Sequence, residues 1–271
     1  MLTRHRARIR NPAGVSKEIG NVIMSAITAS LIVLACVFGG AIAGIFLRSV
    51  LPPHQLSPDT KDVVRLGMGL VGTIVALVLG LLVASAKGSY DEQNNELTQL
   101  SANIGLLDRV LAHYGPEAQE TRNQLHGAAM GMINRIWPKD HSGPAQPSVG
   151  GESLLEDIMR LSPKTDMQRS FQAQALSIAF SVGQTRYLMY GQSVSAVPVP
   201  LLVVLVLWLT VLFISFGLFA PSNATAVATL FMSALSISCA IFLIMEMYKP
   251  FEGLIQISSA PLRAVLANLG R

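Results

Sequence analysis

Residues that are almost all apolar or small recur every three or four positions through Gly69, Gly72, Ala76, Leu79, Val83, Ala86, Tyr90, Gln93, Leu97, Leu100, Ile104, Leu107, Leu111 and Tyr114. That spacing predicts one helical seam along the stretch from Val63 to His113. Its first part lies in a nearly uncharged segment. Its second part is a coiled-coil-like stripe flanked by Asp91, Glu92, Glu96, Asp108 and Arg109. A single helix of this extent is roughly 75 Å long, enough to cross a bilayer and continue into water. The simpler alternative is a spanning helix that kinks near Gly88 and hands over to a separate amphipathic helix. Beyond the membrane the stripe through Leu100, Ile104 and Leu107 is expected to meet a second copy of the chain. Its alternative partners within the same chain are Leu125 and Met132, or Phe171 and Ile178.

Four apolar segments stand out: Val22 to Leu47, Val63 to Ala86, Val199 to Phe219 and Ala224 to Met247. Each has about the 20 residues that a spanning helix needs. Arg65 and Glu246 are the only charges inside them, both near an end. Between the second and third segments the pattern becomes that of water-exposed helices. Tyr114-Gly115-Pro116-Glu117 reads as a stop and an immediate restart, with Pro116 in the first turn. Leu125, Ala129, Met132, Ile133 and Ile136 give the returning helix an apolar face. Residues 138 to 151 are rich in proline and glycine and read as a loop. A short helix over Glu152 to Leu161 follows. Ser162-Pro163 then reads as the cap of a further helix carrying Met167, Phe171, Ala175, Ile178, Val182 and Met189.

The expected fold class is all-α: a multi-pass membrane protein whose four transmembrane helices carry a helical cytoplasmic domain between the second and third spans. Its parts are a basic arm (1–21), spans 1 and 2 (22–86), the cytoplasmic domain (87–196), spans 3 and 4 (197–248) and a mildly amphipathic cytoplasmic tail (249–271). Gly40 and Gly44 in the first span form a GxxxG pair, which predicts close packing on a neighbouring helix.

Composition sharpens this picture. A hydrophobic share of 51% with 13% charged residues is that of an integral membrane protein. The formal charge of +4 gathers in the N-terminal arm, where Arg4, Arg6, Arg8, Arg10 and Lys17 face only Glu18. Such a distribution sets membrane orientation rather than nucleic-acid binding, and it places both termini and the central domain in the cytoplasm. The first apolar run is too long for a cleavable signal peptide, so a retained helix is expected. Cys36 and Cys239 fall inside spans, where they read as small packing residues rather than a disulfide or a metal site.

Catalytic chemistry is missing from the pattern. No phosphate-binding glycine loop, zinc spacing or nucleophile elbow occurs, so neither an enzyme nor a cofactor is expected. No ionisable residue stands near mid-membrane, which argues against a proton-coupled pump. A passive pore with a constriction of apolar and small side chains fits better. Its lining candidates are Gly69, Gly72, Ala76, Leu79 and Val83, whose small faces equally suit packing on the first span. A secondary polar stripe is formed by Thr225, Thr229, Ser233 and Ser236 on the fourth span. Hydroxyls at that spacing either line a wet path or bond their own backbone. Arg186 is a further candidate to pair with the Asp108-Arg109 region, and Glu246 with Lys249.

The segments MEMYKPFEGLIQISSAPLR (245–263), VLGLLVASAKGSYDEQ (78–93), LDRVLAHYGPE (107–117) and FAPSNAT (219–225) resemble the bacterial bestrophin-like family. The resemblance runs from Leu51 to the end of the chain. It implies two spans, a helical cytoplasmic domain and two more spans, and it implies pentameric anion channels in which the second span lines the pore. Family members often carry an acidic residue two positions before the proline matched by Pro250; here Tyr248 stands there, and Glu246 is the nearest carboxylate. The expected partners are therefore the lipid bilayer, further copies of the chain in a homo-oligomer (a pentamer by resemblance) and small inorganic ions. The expected location is the bacterial inner membrane. A non-conducting helical scaffold that recruits a cytoplasmic partner uses the same features, and a solute carrier is a third reading.

Overall fold

The computed structural model describes residues 12–52, 58–137, 151–192, 199–221, 223–251 and 253–269. The described residues are helical throughout their regular elements. In order these are α1 (Pro12–Val50), α2 (Pro58–Tyr114), a 3-10 turn (Pro116–Ala118), α3 (Gln119–Ile136), α4 (Gly151–Arg160), α5 (Asp166–Gln192), α6 (Val199–Phe219), α7 (Ala224–Met247) and α8 (Ala260–Leu266). Four of them, α1, α2, α6 and α7, are long and apolar enough to cross a membrane. The expected single long helix is present: α2 has 57 residues and stays helical through Gly88. Contacts divide the chain into two compact units, Met1–Lys87 with Val197–Tyr248 and Gly88–Ala196 with Lys249–Arg271.

In the first unit, α1 packs on α6 at a separation only glycine permits. A Cβ on Gly44 would collide with the backbone of Ile214 and Leu218, and one on Gly217 with the backbone of Ala41 and Ile45. At Gly40 it would come within 3.0 Å of the Thr210 carbonyl. The GxxxG pair thus has the third span as its partner. Backbone contact of this kind is how helices associate in lipid, where no hydrophobic driving force separates them from the solvent. On its other side α1 meets α7, where the Ser238 hydroxyl donates to the Ser30 carbonyl (2.6 Å) and Phe38 meets Phe231 edge to face. At one end, the Arg48 guanidinium donates to the Ala220 carbonyl and ties α1 to the α6–α7 turn. The Asn223 side chain then caps α7 by accepting from the Ala226 amide (2.8 Å).

In the second unit the seam along α2 becomes the core. Leu97, Leu100, Ile104, Leu107 and Leu111 are essentially inaccessible. They join Leu125, Ala129 and Ile133 of α3, Leu154 and Ile158 of α4, Ala175 and Ala179 of α5, and Ile257, Leu262 and Leu266 beyond α7. This corrects the expectation of a second copy on the stripe, because Leu100, Ile104 and Leu107 are already covered by their own chain. Burial of each contributes about 1.5 to 3 kcal/mol. The segment after Tyr248 is also anchored by Trp137, whose indole N–H donates to the Ile257 carbonyl (2.9 Å) and whose ring meets Phe251.

Polar fixings in this unit differ from those expected. Asp108 pairs with Arg122 of α3 rather than Arg186, through two parallel hydrogen bonds (2.8 and 3.0 Å). Both groups are largely buried, and the carboxylate holds the Arg122 guanidinium above its ordinary value. Helix α5 begins at Asp166, not at Pro163. Its cap is Thr165, whose hydroxyl accepts from the Gln168 amide (3.2 Å). Gln172 of α5 in turn donates to the Ile158 and Leu161 carbonyls at the end of α4. At the α2–α3 corner, Gly115 turns the chain at φ 126, a left-handed value that favours glycine. There Lys164 meets Glu117 (3.2 Å), and the side-chain Nε2 of Gln168 donates to the Tyr114 carbonyl.

Candidate pore surface

Within the first unit, α2 presents three faces. One is buried: Val75, Leu82 and Ala86, flanked by Met68, Val71, Val78 and Leu79, share a core with residues of α1, α6 and α7. About 100° further round the helix lies the face that holds most of the pore candidates. Gly69, Ala76 and Val83 are exposed there, while Gly72 and Leu79 are half-buried, and Leu79 touches the core. A Cβ on Gly69, Gly72 or Gly80 would meet nothing within 4 Å. Within the chain, then, Gly69, Ala76 and Val83 lie open, while Gly72 and Leu79 are partly covered. The Thr73 hydroxyl beside it donates to the Gly69 carbonyl (2.9 Å).

Sequence reasoning passed over the third face. Val63, Leu66, Leu70, Leu77 and Leu81 are between 64% and 78% exposed, the most open row of bulky side chains on the helix. Their spacing is as regular as that of the small residues, so the signal was there. In an apolar span a leucine row reads by default as lipid-facing, and the glycines drew attention instead.

The hydroxyl stripe of α7 is also exposed, but three of its four hydroxyls are engaged. Thr229 donates to the Thr225 carbonyl, Ser233 to Thr229 and Ser236 to Met232, each at 2.9 Å. Such i to i−4 bonds leave the helix outwardly apolar apart from the oxygen lone pairs. Among the described residues no hydrogen bond joins this stripe to the α2 candidates. A different polar contact ties α2 to the end of α7, between the Ser85 and Tyr248 hydroxyls (3.2 Å). Glu246, two residues before Tyr248, is buried. Both cysteines are exposed on their spans, and among the described residues no three His, Cys, Asp or Glu side chains converge on a metal position.

The surface so far described is that of a membrane bundle with one under-covered helix. A bestrophin-like domain matches residues 16–262. The chain belongs to the bestrophin-like family. Its fold is also that of solved bestrophin structures. One variant of a bacterial bestrophin homolog from Klebsiella pneumoniae has a TM-score of 0.65 at 15% identity, covering 90% of this chain and 97% of that one. A second variant gives 0.63 at 14% identity, covering 88% and 97%. A further membrane-protein structure gives 0.63 at 13% identity, covering 89% and 97%. At such identities the likeness concerns the bestrophin fold alone. No curated protein matches the sequence.

Proposed function

We propose that this bestrophin-like protein assembles as a homo-oligomer, a pentamer by family resemblance, and forms a passive pore for small inorganic anions along its second span. The observation that carries the reading is coverage. Only 11% of the apolar window of α2 is buried within its own chain, against 33%, 28% and 22% for α1, α6 and α7. The least covered span is thus the one that the family places at the axis. Its two open faces suit two tasks: a small-residue face lets a neighbouring backbone approach closely, and a bulky aliphatic row can gate by dewetting. The lining is drawn from Gly69, Gly72, Ala76, Leu79 and Val83, or from the row Leu66, Leu70 and Leu77 beside them. The hydroxyl stripe Thr225, Thr229, Ser233 and Ser236 remains a secondary lining candidate. We also propose a bacterial inner-membrane location, with residues 87–196 and both termini in the cytoplasm, on the strength of the arginine-rich arm.

Purified protein in planar bilayers under a salt gradient tests conduction and ion sign together. An anion-selective current, blocked by a water-soluble thiol reagent at single cysteines introduced on only one of the two open α2 faces, would identify the lining. A folded oligomer that carries no current would sink the pore and leave the scaffold reading. Orientation is read separately, in a chain with Cys36 and Cys239 replaced by alanine. An impermeant reagent applied to intact cells should label a cysteine at Pro221 and spare one at His126.

A further inference from the structure

In the second unit a cleft of about 700 Å³ opens between α2 and the segment that includes α8. That is within the roughly 300–1,000 Å³ range of small-molecule sites. Its walls are apolar: Ala102, Gly105 and Leu106 line one side, and Val265 and Leu269 the other. The two sides lie close at Gly105, where a Cβ would make ordinary contact with Val265 at 3.4 Å. Its polar rim is made of Asp108, Arg109 and Asn268. Both carboxylate oxygens of Asp108 accept from Arg122, so that charge is answered by α3. The Asn268 amide nitrogen donates to the Ala264 carbonyl. Arg109 is exposed and, among the described residues, has neither a hydrogen bond nor an ion pair. Among the described residues, the rim therefore carries one positive charge without a partner.

We infer that this cleft binds a small organic monocarboxylate with an apolar body. A guanidinium offers two parallel donors that match a carboxylate, and the apolar walls would cover the remainder of such a ligand. A single unanswered cation suits a single negative charge better than a phosphate dianion, and the walls offer an inorganic anion nothing. None of the proposed pore positions lines the cleft, so a failure of conduction and a failure of binding are separate results.

The test uses the full chain in lipid nanodiscs, with 4-(trifluoromethyl)benzoate as the probe and its fluorine signal as the readout. Empty nanodiscs correct for partition into lipid. Saturable broadening is expected, weakened about tenfold or more by Arg109→Gln, by Ala102→Phe and by replacing the probe with the neutral benzamide, as loss of a charge-assisted pair requires. Arg169→Gln, on an exposed arginine that pairs with Asp166 instead, should change nothing. Absence of saturable binding overturns the assignment, as does equal binding of the benzamide or an unchanged affinity in both cleft variants. So does a Leu106→Cys chain, its native cysteines replaced by alanine, that is protected from maleimide when assembled and labelled once dissociated. That result would give the cleft to a second copy.

Discussion

The two halves of α2 carry the same three-to-four residue spacing and each buries one row of it, through Val75, Leu82 and Ala86 in the first and Leu97 to Leu111 in the second, but they differ in what they leave open. Before Lys87, Leu66, Leu70, Leu77 and Leu81 lie open on the surface of the subunit; beyond Gly88, Leu97, Leu100, Leu107 and Leu111 are shut inside it. The periodicity is a property of the helix, whereas the need to bury it is a property of the solvent. Lipid tails satisfy an exposed leucine row, so a span can keep one face free for assembly or for an axis. Water would not satisfy such a row, and α3, α4, α5 and the segment after α7 close over the second half. Self-association is therefore to be sought on the membrane half, not on the heptad-like half that advertised it.

The largest effect should come from charging the closed half. Leu100→Glu combined with Leu107→Glu removes two burials of about 1.5 to 3 kcal/mol each and leaves carboxylates in an apolar core. The second unit should become protease-sensitive while all four spans remain inserted. A resistant unit with fewer subunits by light scattering would restore the stripe as an oligomer contact. Next in size is a contrast between glycines. Gly44→Leu drives a side chain into the α6 backbone and should cost about 3 kcal/mol or more in detergent unfolding. Gly80→Leu meets open space and should leave subunit stability within about 1 kcal/mol of the parent, or slightly above it. If Gly80→Leu instead dissolves the oligomer, the open face is a subunit contact.

A smaller effect is expected at the end of the closed half. The Tyr114 hydroxyl is buried with no hydrogen-bond partner among the described residues, and that burial pushes the phenol up. Tyr114→Phe should be neutral or stabilising by about 1 kcal/mol, since it removes an unsatisfied group. A clear loss of thermal stability would reveal a partner that the fold does not show. The smallest effect concerns acid. Glu117 is held below the usual carboxylate range by its own backbone N–H and then by Lys164. A depressed carboxylate contributes above its unfolded value and loses that contribution as pH falls through the folded one. Relative to the intrinsic rate at each pH, the amides of the α2–α3 corner should therefore lose protection below about pH 4, and Glu117→Gln should abolish the dependence.

Some of this architecture was written plainly in the chain. Apolar runs of spanning length and the unbroken seam announce four helices long enough to cross a membrane, one of them continuing well beyond that length. Gly40 and Gly44 announced a close contact, though only the fold shows Gly217 of α6 returning it. What stayed hidden depended on folding back. A heptad seam does not name its partner, and Asp108 finds Arg122 only because Gly115 reverses the chain between them. The start of α5 was misplaced because Ser162-Pro163 is as good a cap signal as Thr165. At the candidate pore, the small residues were legible by type, but which face a subunit leaves open depends on where α1, α6 and α7 lie.

The bond from Trp137 to the Ile257 carbonyl has a consequence for the order in which the protein is made. Ile257, Leu262 and Leu266 complete a core otherwise built from residues 88–196, yet α6 and α7 are synthesised between the two. Until both spans have left the ribosome, the leucine row beyond Gly88 lacks part of its cover. The newborn chain must carry that row incompletely covered for the time taken to add about fifty residues, some seconds at ordinary elongation rates. Such delayed closure makes the last-made segment the step at which the unit is sealed, and the interval before it the one in which a chaperone has something to hold.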